Sequence, residues 1–121
     1  MGNKKTLVLG ASDNPSRYSY LAVKALQAKG HEITAIGKRT GNVGDTAIVT
    51  VAPPISDLDT VTLYLNPANQ RQYYDYIFSL LPKRIIFNPG AENRQLAELS
   101  LQKGIAVMEA CTLVLLSTGQ Y

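Results

Sequence analysis

The segment that most constrains the fold is a short apolar run that ends in glycine and is followed by a helical pattern. Thr6–Gly10 (TLVLG) has the form of a buried parallel strand that leads into a turn. After a polar stretch, apolar residues that include Leu21 and Leu26 recur at helical spacing from about Ser19 until Gly30. A strand, a glycine turn and a helix in this order are typical of a βαβ unit, so the sequence predicts a parallel sheet.

The same alternation continues along the chain. Five further runs are rich in β-branched or apolar residues and are predicted strands: His31–Gly37, Thr46–Val51, Thr60–Leu65, Arg84–Phe87 and Ile105–Met108. The fold class that we expect is therefore α/β, a doubly wound and mainly parallel sheet with helices on both faces.

Two predicted helices separate the later strands. Asn66-Pro67 begins one that Pro82 ends, with Tyr73, Ile77 and Leu81 on its buried face. The other follows Asn88–Glu92, buries Leu96, Ala97 and Leu99, and is closed by Gly104. Lys38–Gly44 is a predicted loop, and Cys111–Leu116 fits a strand or a helical turn equally well.

The chain has 121 residues, which predicts one domain over residues 1–121. No apolar run reaches the roughly 18 residues that a membrane helix needs. Met1-Gly2 with Thr6 loosely matches a myristoylation signal, but Thr6 begins a predicted strand, so we expect no lipid anchor. The net charge of +3 is scattered rather than gathered in a stripe, so neither a nucleic-acid nor a membrane partner is expected. A single cysteine suits a reducing, cytoplasmic location.

In a doubly wound sheet, ligands bind beyond the carboxyl ends of the strands, and the first loop offers amides and a helix N-terminus to a phosphate. That loop begins Gly10-Ala11-Ser12-Asp13-Asn14-Pro15. A dinucleotide fingerprint has glycine where this chain has Ser12, and no third glycine follows. The Ser12 side chain limits close approach to a pyrophosphate but adds a hydroxyl donor. An ordinary turn between strand and helix is the alternative interpretation.

The second predicted strand ends in Gly37-Lys38-Arg39. An NAD site places Asp or Glu here to bind the ribose 2′-hydroxyl. Two cations favour instead a ribose that carries a phosphate, because Arg makes bidentate phosphate contacts and Lys adds a point charge. Exposed loop cations without a ligand are the alternative.

Two near copies follow later strands: Asn66-Pro67-Ala68-Asn69 and Asn88-Pro89-Gly90-Ala91. Each asparagine is expected either to cap the helix that follows it or to contact a ligand with its amide.

Groups for catalysis are few. His31 is the only histidine and precedes its strand, at the amino end of the sheet. Cys111 lies at the ligand end with no histidine to activate it, and Glu92 is predicted in the first turn of a helix, where its charge is favourable. Neither a catalytic centre nor a metal site is expected.

The stretch Gly10–Ser19 (GASDNPSRYS) resembles the opening G-A-S-x-x-P-x-R-x-S of the small CoA-binding-domain proteins, which are similar to the nucleotide-binding domain of the succinyl-CoA synthetase alpha subunit. The likeness runs through Arg39, Asn66-Pro67 and Gly90 to Cys111. The chain departs from many members at Asn66, Asn88 and Ala110, where they carry arginine, glutamine and arginine. The resemblance implies CoA as the ligand, whereas the residues alone support a phosphate-rich nucleotide.

Three interpretations stay open. In the first, the chain binds CoA or an acyl-CoA without catalysis: Gly10–Asn14 hold the pyrophosphate, Ser19 and Tyr20 bound the site, Lys38 and Arg39 meet the 3′-phosphate, and Asn66, Pro67, Asn88 and Pro89 line the groove. The second is an NADP-dependent reductase or its accessory subunit. The third is an interaction module with a vestigial pocket. A homodimer through Leu113–Leu116, or an acyl-CoA-using partner enzyme, is a possible assembly.

Overall fold

The computed structural model describes residues 3–121. Met1 and Gly2, where the sequence predicts no lipid anchor, lie outside the described residues. The elements in chain order are β1 (Thr6–Leu9), α1 (Tyr18–Ala28), β2 (Ile33–Ile36), β3 (Gly41–Val43), β4 (Thr46–Val49), β5 (Thr60–Leu63), α2 (Pro67–Gln70), a 3₁₀ turn (Arg71–Tyr73), α3 (Tyr74–Leu80), β6 (Arg84–Phe87), α4 (Arg94–Gln102), β7 (Ala106–Glu109) and α5 (Thr112–Ser117). Among these helices none is both long and apolar enough to cross a bilayer.

The strands form one seven-stranded sheet in the order β3-β4-β2-β1-β5-β6-β7. All neighbours are parallel except β3 and β4, which are antiparallel. β1 is central: Thr6 pairs with Ile33 on one side and with Thr60 on the other. The predicted α/β fold is confirmed, while the predicted loop Lys38–Gly44 contains the short strand β3, which returns to β4 through Gly44 at φ +58°.

Successive residues of each strand serve opposite faces of the sheet, because side chains alternate along a strand. In β1, Leu7 and Leu9 pack into a cluster with Ile77 of α3 and Leu96 of α4. Val8 points the other way, into a cluster that α1 and α5 complete. Both faces are thus covered, and the ends of the strands are left as the places where a ligand reaches the sheet.

The helices differ from the predicted ones in detail. Of the apolar residues in the predicted pattern of α1, Leu26 is buried together with Ala22 and Val23, whereas Leu21 is 41% exposed. The predicted helix to Pro82 is three pieces, of which α3 ends at Leu80. Leu81 was expected inside but is 63% exposed, because it takes the left-handed conformation (φ 45°) that ends α3.

The amino edge of the sheet is closed by Tyr121. Its hydroxyl lies 2.6 Å from the hydroxyl of Thr6, and the guanidinium of Arg84 lies 4.4 Å from the centre of its ring. The centre of the His31 ring lies 5.1 Å from that of the Tyr121 ring, and Nδ1 of His31 accepts a hydrogen bond from the amide of Lys4. Aromatic and cationic groups therefore cover this edge, opposite to the carboxyl ends of the strands.

Candidate functional site

The carboxyl ends of β1 and β5 mark the switch point of the sheet. From β1 the chain crosses to β2 through α1, whereas β5 continues through α2 and α3 to β6 on the other side. The loops after β1 and β5 therefore lead in opposite directions along the sheet, and the position between them (the crevice) is where a doubly wound sheet usually binds its ligand. The predicted site residues lie on these loops, on the loops after β2 and β6, and at the starts of α1 and α2.

Gly10 and Ala11 join the end of β1 to the end of β2. Both backbone amides donate to the carbonyl of Ile36, at 3.0 and 2.9 Å. The expectation that these two amides hold a phosphate is therefore wrong, because their hydrogens are already bonded. Gly10 has φ +93°, and a Cβ there would lie 3.1 Å from backbone and side-chain atoms of Tyr64 and Leu65. Glycine is favoured at this position because a side chain is strained at this positive φ, and the close approach to the end of β5 adds to the cost.

The rest of the β1–α1 loop (Gly10–Arg17) does leave donors free. Among the described residues, the amides of Ser12 and Asp13 and those of the first turn of α1 (18–20) have no acceptor. Ser12 Oγ accepts from the amide of Asn14 at 3.1 Å, which leaves the hydroxyl proton of Ser12 available. Unpaired amides at a helix N-terminus attract anions.

The remaining predicted residues of this loop and of the start of α1 differ in their contacts and exposure. The side-chain oxygen Oδ1 of Asn14 accepts from the amide and the hydroxyl of Ser16, which fixes the turn. Pro15 is exposed. Ser19 is buried at the start of α1, and Tyr20 is half-buried and packs against the core. Ser19 and Tyr20 therefore anchor the start of α1 in the core, while their own amides remain among the free donors.

The basic loop (Gly37–Thr40) follows β2 directly and touches the β1–α1 loop. A Cβ on Gly37 would lie only 2.3 Å from the carbonyl oxygen of Ala11, and one on Gly41 would lie 2.7 Å from a carboxylate oxygen of Asp13. Lys38 and Arg39 are exposed. The ion pairs found within residues 3–121 join Lys5 to Glu32, Lys83 to Asp59 and Arg94 to Glu98. Both cations of the basic loop are therefore free to bind an anion beside the free amides.

The near copies after β5 and β6 have different roles. Asn66 is exposed and caps α2, accepting from the amide of Asn69 at 2.9 Å, with Pro67 in the first turn. Asn88 is 2% exposed. Its amide nitrogen donates to Thr62 Oγ1 (2.7 Å) and to the Leu63 carbonyl (2.9 Å), and its oxygen accepts from the amide of Thr112 (2.8 Å).

The capping role expected for Asn88 is therefore wrong. The oxygen of Asn93 accepts from the amide of Leu96 and caps α4 instead. Asn88 fastens the ends of β5 and β6 to the start of α5, while Pro89 beside it is exposed. Glu92 precedes α4 rather than lying in its first turn, and its carboxylate accepts from the amide of Gly90 at 2.9 Å.

Gln70 was not predicted, and it is fully buried at the end of α2. Its amide nitrogen donates to the carbonyls of Leu65 (2.8 Å) and Ala91 (2.7 Å), and its oxygen accepts from Asn93 Nδ2 (2.9 Å). One side chain thus connects the loop after β5 with the loop after β6. No periodicity or motif distinguishes this glutamine from its exposed neighbours.

In the described part of the chain, no histidine lies at the carboxyl edge of the sheet. His31 lies at the opposite, amino edge, as predicted, and burial together with Lys4 and Arg84 lowers its pKa. Cys111 is half-buried at the start of α5. Burial raises the pKa of Tyr64 to about 12, so that its hydroxyl stays protonated at neutral pH. Within residues 3–121 no three His, Cys, Asp or Glu side chains are grouped as metal ligands.

Known proteins share the fold of this chain, and one family shares its sequence pattern. The sequence model of a family described as "CoA binding domain" matches residues 4–117. A solved structure titled "Crystal structure of uncharacterized protein" is 48% identical over all of both chains, with a TM-score of 0.96. A hypothetical protein from Pyrococcus horikoshii OT3 is 19% identical, with a TM-score of 0.83, over 93% of this chain and 80% of that one. A Thermus thermophilus protein is 18% identical (TM-score 0.84; 98% and 91% covered). A search of curated proteins finds no match.

Proposed function

Because this chain belongs to the CoA binding domain family, we propose that it binds CoA or an acyl-CoA at the carboxyl edge of its parallel strands and catalyses no reaction by itself. The observation that carries the proposal is the pairing of free backbone amides with two unpaired cations. The amides belong to the β1–α1 loop and α1, and the cations are Lys38 and Arg39. CoA carries a pyrophosphate and a 3′-phosphate, so it offers one anionic group to each.

The pyrophosphate suits the β1–α1 loop. The amides of Ser12 and Asp13, the Ser12 hydroxyl and the amides of the first turn of α1 are the available donors. The packing of Ser19 and Tyr20 against the core fixes the start of α1, and with it the direction of these amides. A charge-assisted hydrogen bond to a phosphate oxygen is about twice as strong as a neutral one, so a few such donors suffice to orient the group.

The 3′-phosphate suits the basic loop. The contact between Gly37 and Ala11 places this loop directly beside the first one. A ligand that binds the β1–α1 loop with its pyrophosphate therefore has its ribose within reach of Lys38 and Arg39. The exposed residues Asn66, Pro67 and Pro89 then line the far side of the crevice for the adenine or the pantetheine arm.

A role without catalysis is favoured by the groups at the crevice. Cys111 has no histidine beside it, and the Tyr64 hydroxyl holds its proton up to about pH 12. We propose that the protein presents or withholds its ligand as an accessory to an acyl-CoA-using enzyme. Steady hydrolysis of a CoA thioester by the purified protein, lost in Cys111→Ala, would contradict this.

NADP is the second candidate, and the same two cations favour it. NADP carries its extra phosphate on the ribose 2′-oxygen, and loops that follow the second strand commonly bind that phosphate through arginine. In this alternative the protein is a reductase or the accessory subunit of one. Oxidation of NADPH by the purified protein distinguishes it from the first proposal.

Calorimetric titration with CoA, dephospho-CoA and NADP tests the proposal. Dephospho-CoA lacks only the 3′-phosphate, and a hydrogen bond to a charged group contributes about 1.5–3 kcal/mol. We therefore expect wild type to prefer CoA by about tenfold to a hundredfold, and added salt to reduce this preference. Arg39→Ala and Lys38→Ala should weaken CoA binding and leave dephospho-CoA binding nearly unchanged.

Lys24→Ala is the matched control for Lys38→Ala, because Lys24 is also an exposed lysine but lies within α1. Its CoA affinity should equal that of wild type. Equal binding of CoA and dephospho-CoA at low salt would show that the basic loop meets no phosphate. Binding of NADP alone would favour the reductase, and binding of no nucleotide would favour an interaction module.

A further inference from the structure

Gln70 connects the two loops that form the far wall of the crevice. Its amide nitrogen donates one hydrogen to the Leu65 carbonyl, just after β5, and the other to the Ala91 carbonyl, after β6. Its oxygen accepts from Asn93, whose nitrogen also donates to the Tyr74 hydroxyl at 2.8 Å. Both polar ends of Gln70 are thus bonded, and the side chain has no exposed surface.

Because of these contacts Gln70 cannot touch a ligand, but it holds the loop after β5 and the loop after β6 at a fixed distance from each other. Leu65 directly precedes Asn66-Pro67, and Ala91 closely follows Pro89. A buried carbonyl that loses its donor costs free energy unless water enters, so the two loops separate or rearrange when the amide is removed. Binding residues need to be held within about 0.5 Å of their productive positions for full affinity.

We propose that Gln70 is a positioning residue of the CoA site, which fixes the distance between the loops bearing Asn66-Pro67 and Pro89 so that the groove exists before the ligand arrives. This inference rests on the proposed function. Asn88 also stabilises these loops, because it bonds Thr62 and Leu63 at the end of β5 and Thr112 at the start of α5. Gln70 differs from Asn88 because its two donated bonds go to two separate loops.

Gln70→Leu tests the inference, with Gln27→Leu as its matched control. Gln27, in α1, also donates twice with its amide nitrogen, to the Val43 carbonyl (2.6 Å) and to Thr46 Oγ1 (2.8 Å). These two bonds hold the turn between β3 and β4, at the amino edge of the sheet. Both variants should lower the Tm. Only Gln70→Leu should weaken CoA binding, by about tenfold or more, which corresponds to about 1.4 kcal/mol. The titration is made at a temperature where all proteins are folded.

Gln70→Glu provides a readout that a loss of stability alone does not move. The ionised carboxylate faces two carbonyl oxygens and repels them, whereas the neutral acid keeps one donor and an acceptor for Asn93. Burial raises the pKa of such a carboxyl. The affinity of Gln70→Glu for CoA, relative to wild type at the same pH, should therefore recover as the pH falls, while that of Gln70→Leu stays low.

Amide hydrogen exchange without ligand separates this inference from the proposed function. In Gln70→Leu, the amides of Leu65, Asn66, Ala68, Asn69 and Gly90–Glu92 should exchange faster than in wild type. Unchanged exchange, or CoA affinity within about twofold of wild type, overturns the inference. A wild-type protein that binds no CoA contradicts the proposed function and the ligand part of this inference, and the exchange data then still decide whether Gln70 holds the loops.

Discussion

A single methyl group at Gly37 tests the contact between the basic loop and the β1–α1 loop. In Gly37→Ala, the new carbon would lie 2.3 Å from the Ala11 carbonyl oxygen and 3.0 Å from a methyl carbon of Ile48. Favourable contacts between carbon atoms lie near 3.5–4.0 Å, so the loop has to move by about 1 Å. Gly37 does not need a left-handed backbone, which means that the clash is the only cost of the alanine.

The movement strains bonds that lie next to the contact. Gly10 and Ala11 both donate to Ile36, the residue before Gly37, and Gly37 itself donates to the Val49 carbonyl at 3.0 Å. Overpacking of this kind costs about 1–3 kcal/mol. For a chain of this length we expect the Tm of Gly37→Ala to fall by roughly 4–12 °C. Because the same loop carries the Ser12 and Asp13 amides, CoA affinity should fall by about tenfold or more.

Differential scanning calorimetry and titration with CoA measure the two effects. Gly30→Ala is the control: it has φ +78° and no atom within 4 Å of the added carbon, so it suffers backbone strain alone. That strain costs about 1–2 kcal/mol and should leave CoA affinity unchanged. A Gly37→Ala protein with the Tm and the CoA affinity of wild type would refute the reasoning, because the loops could then separate freely.

Five further variants test individual side chains. Tyr64→Phe should keep or raise the Tm, because the buried Tyr64 hydroxyl has no partner in the described structure, whereas Tyr76→Phe loses a bond to the Pro53 carbonyl and should lower it. Asn88→Ala should cost several kcal/mol, clearly more than the roughly 1 kcal/mol of Asn66→Ala, and equal losses would contradict the different burial of the two residues. Since burial lowers the pKa of His31 in the folded state, the unfolded state binds more protons below about pH 6.5 and stability is lost on acidification. In His31→Gln the fall in Tm between about pH 7.5 and pH 5.5 should be smaller, and an equal fall would exclude His31 as the cause.

The sequence predicted the elements whose patterns are local. The run before Gly10 and the runs at Thr60 and Arg84 are apolar or β-branched and bounded by turn residues, and all three are strands of the parallel sheet. β3 was not predicted, because three residues that begin with glycine carry no period. It forms because β4 offers an edge to which Gly41–Val43 can bond.

The candidate site shows the same division. Asn66 caps α2 as its motif predicts, since the helix begins at the next residue. Asn88 opens a near copy of the motif, but Gly90 takes φ +92° and turns the chain away, so α4 begins only at Arg94. The contacts that each motif makes depend on the tertiary structure, so they cannot be predicted from the sequence of the motif alone. The partners of Gln70 come from two segments distant in sequence, after β5 and after β6, and could not be predicted for the same reason.

The central place of β1 has a consequence for the order in which the molecule forms. In the sequence, only α1 separates Thr6 from its partner Ile33, whereas α1 and the whole β2–β4 region separate Thr6 from its other partner, Thr60. Contacts between distant parts of a chain form late, because a longer loop has to be closed first. The unit β1–α1–β2 is therefore expected to form first, and the crevice beside β5 to be the last part completed. A ligand that bridges the crevice then stabilises the final folding step, so CoA should slow unfolding more than it speeds folding.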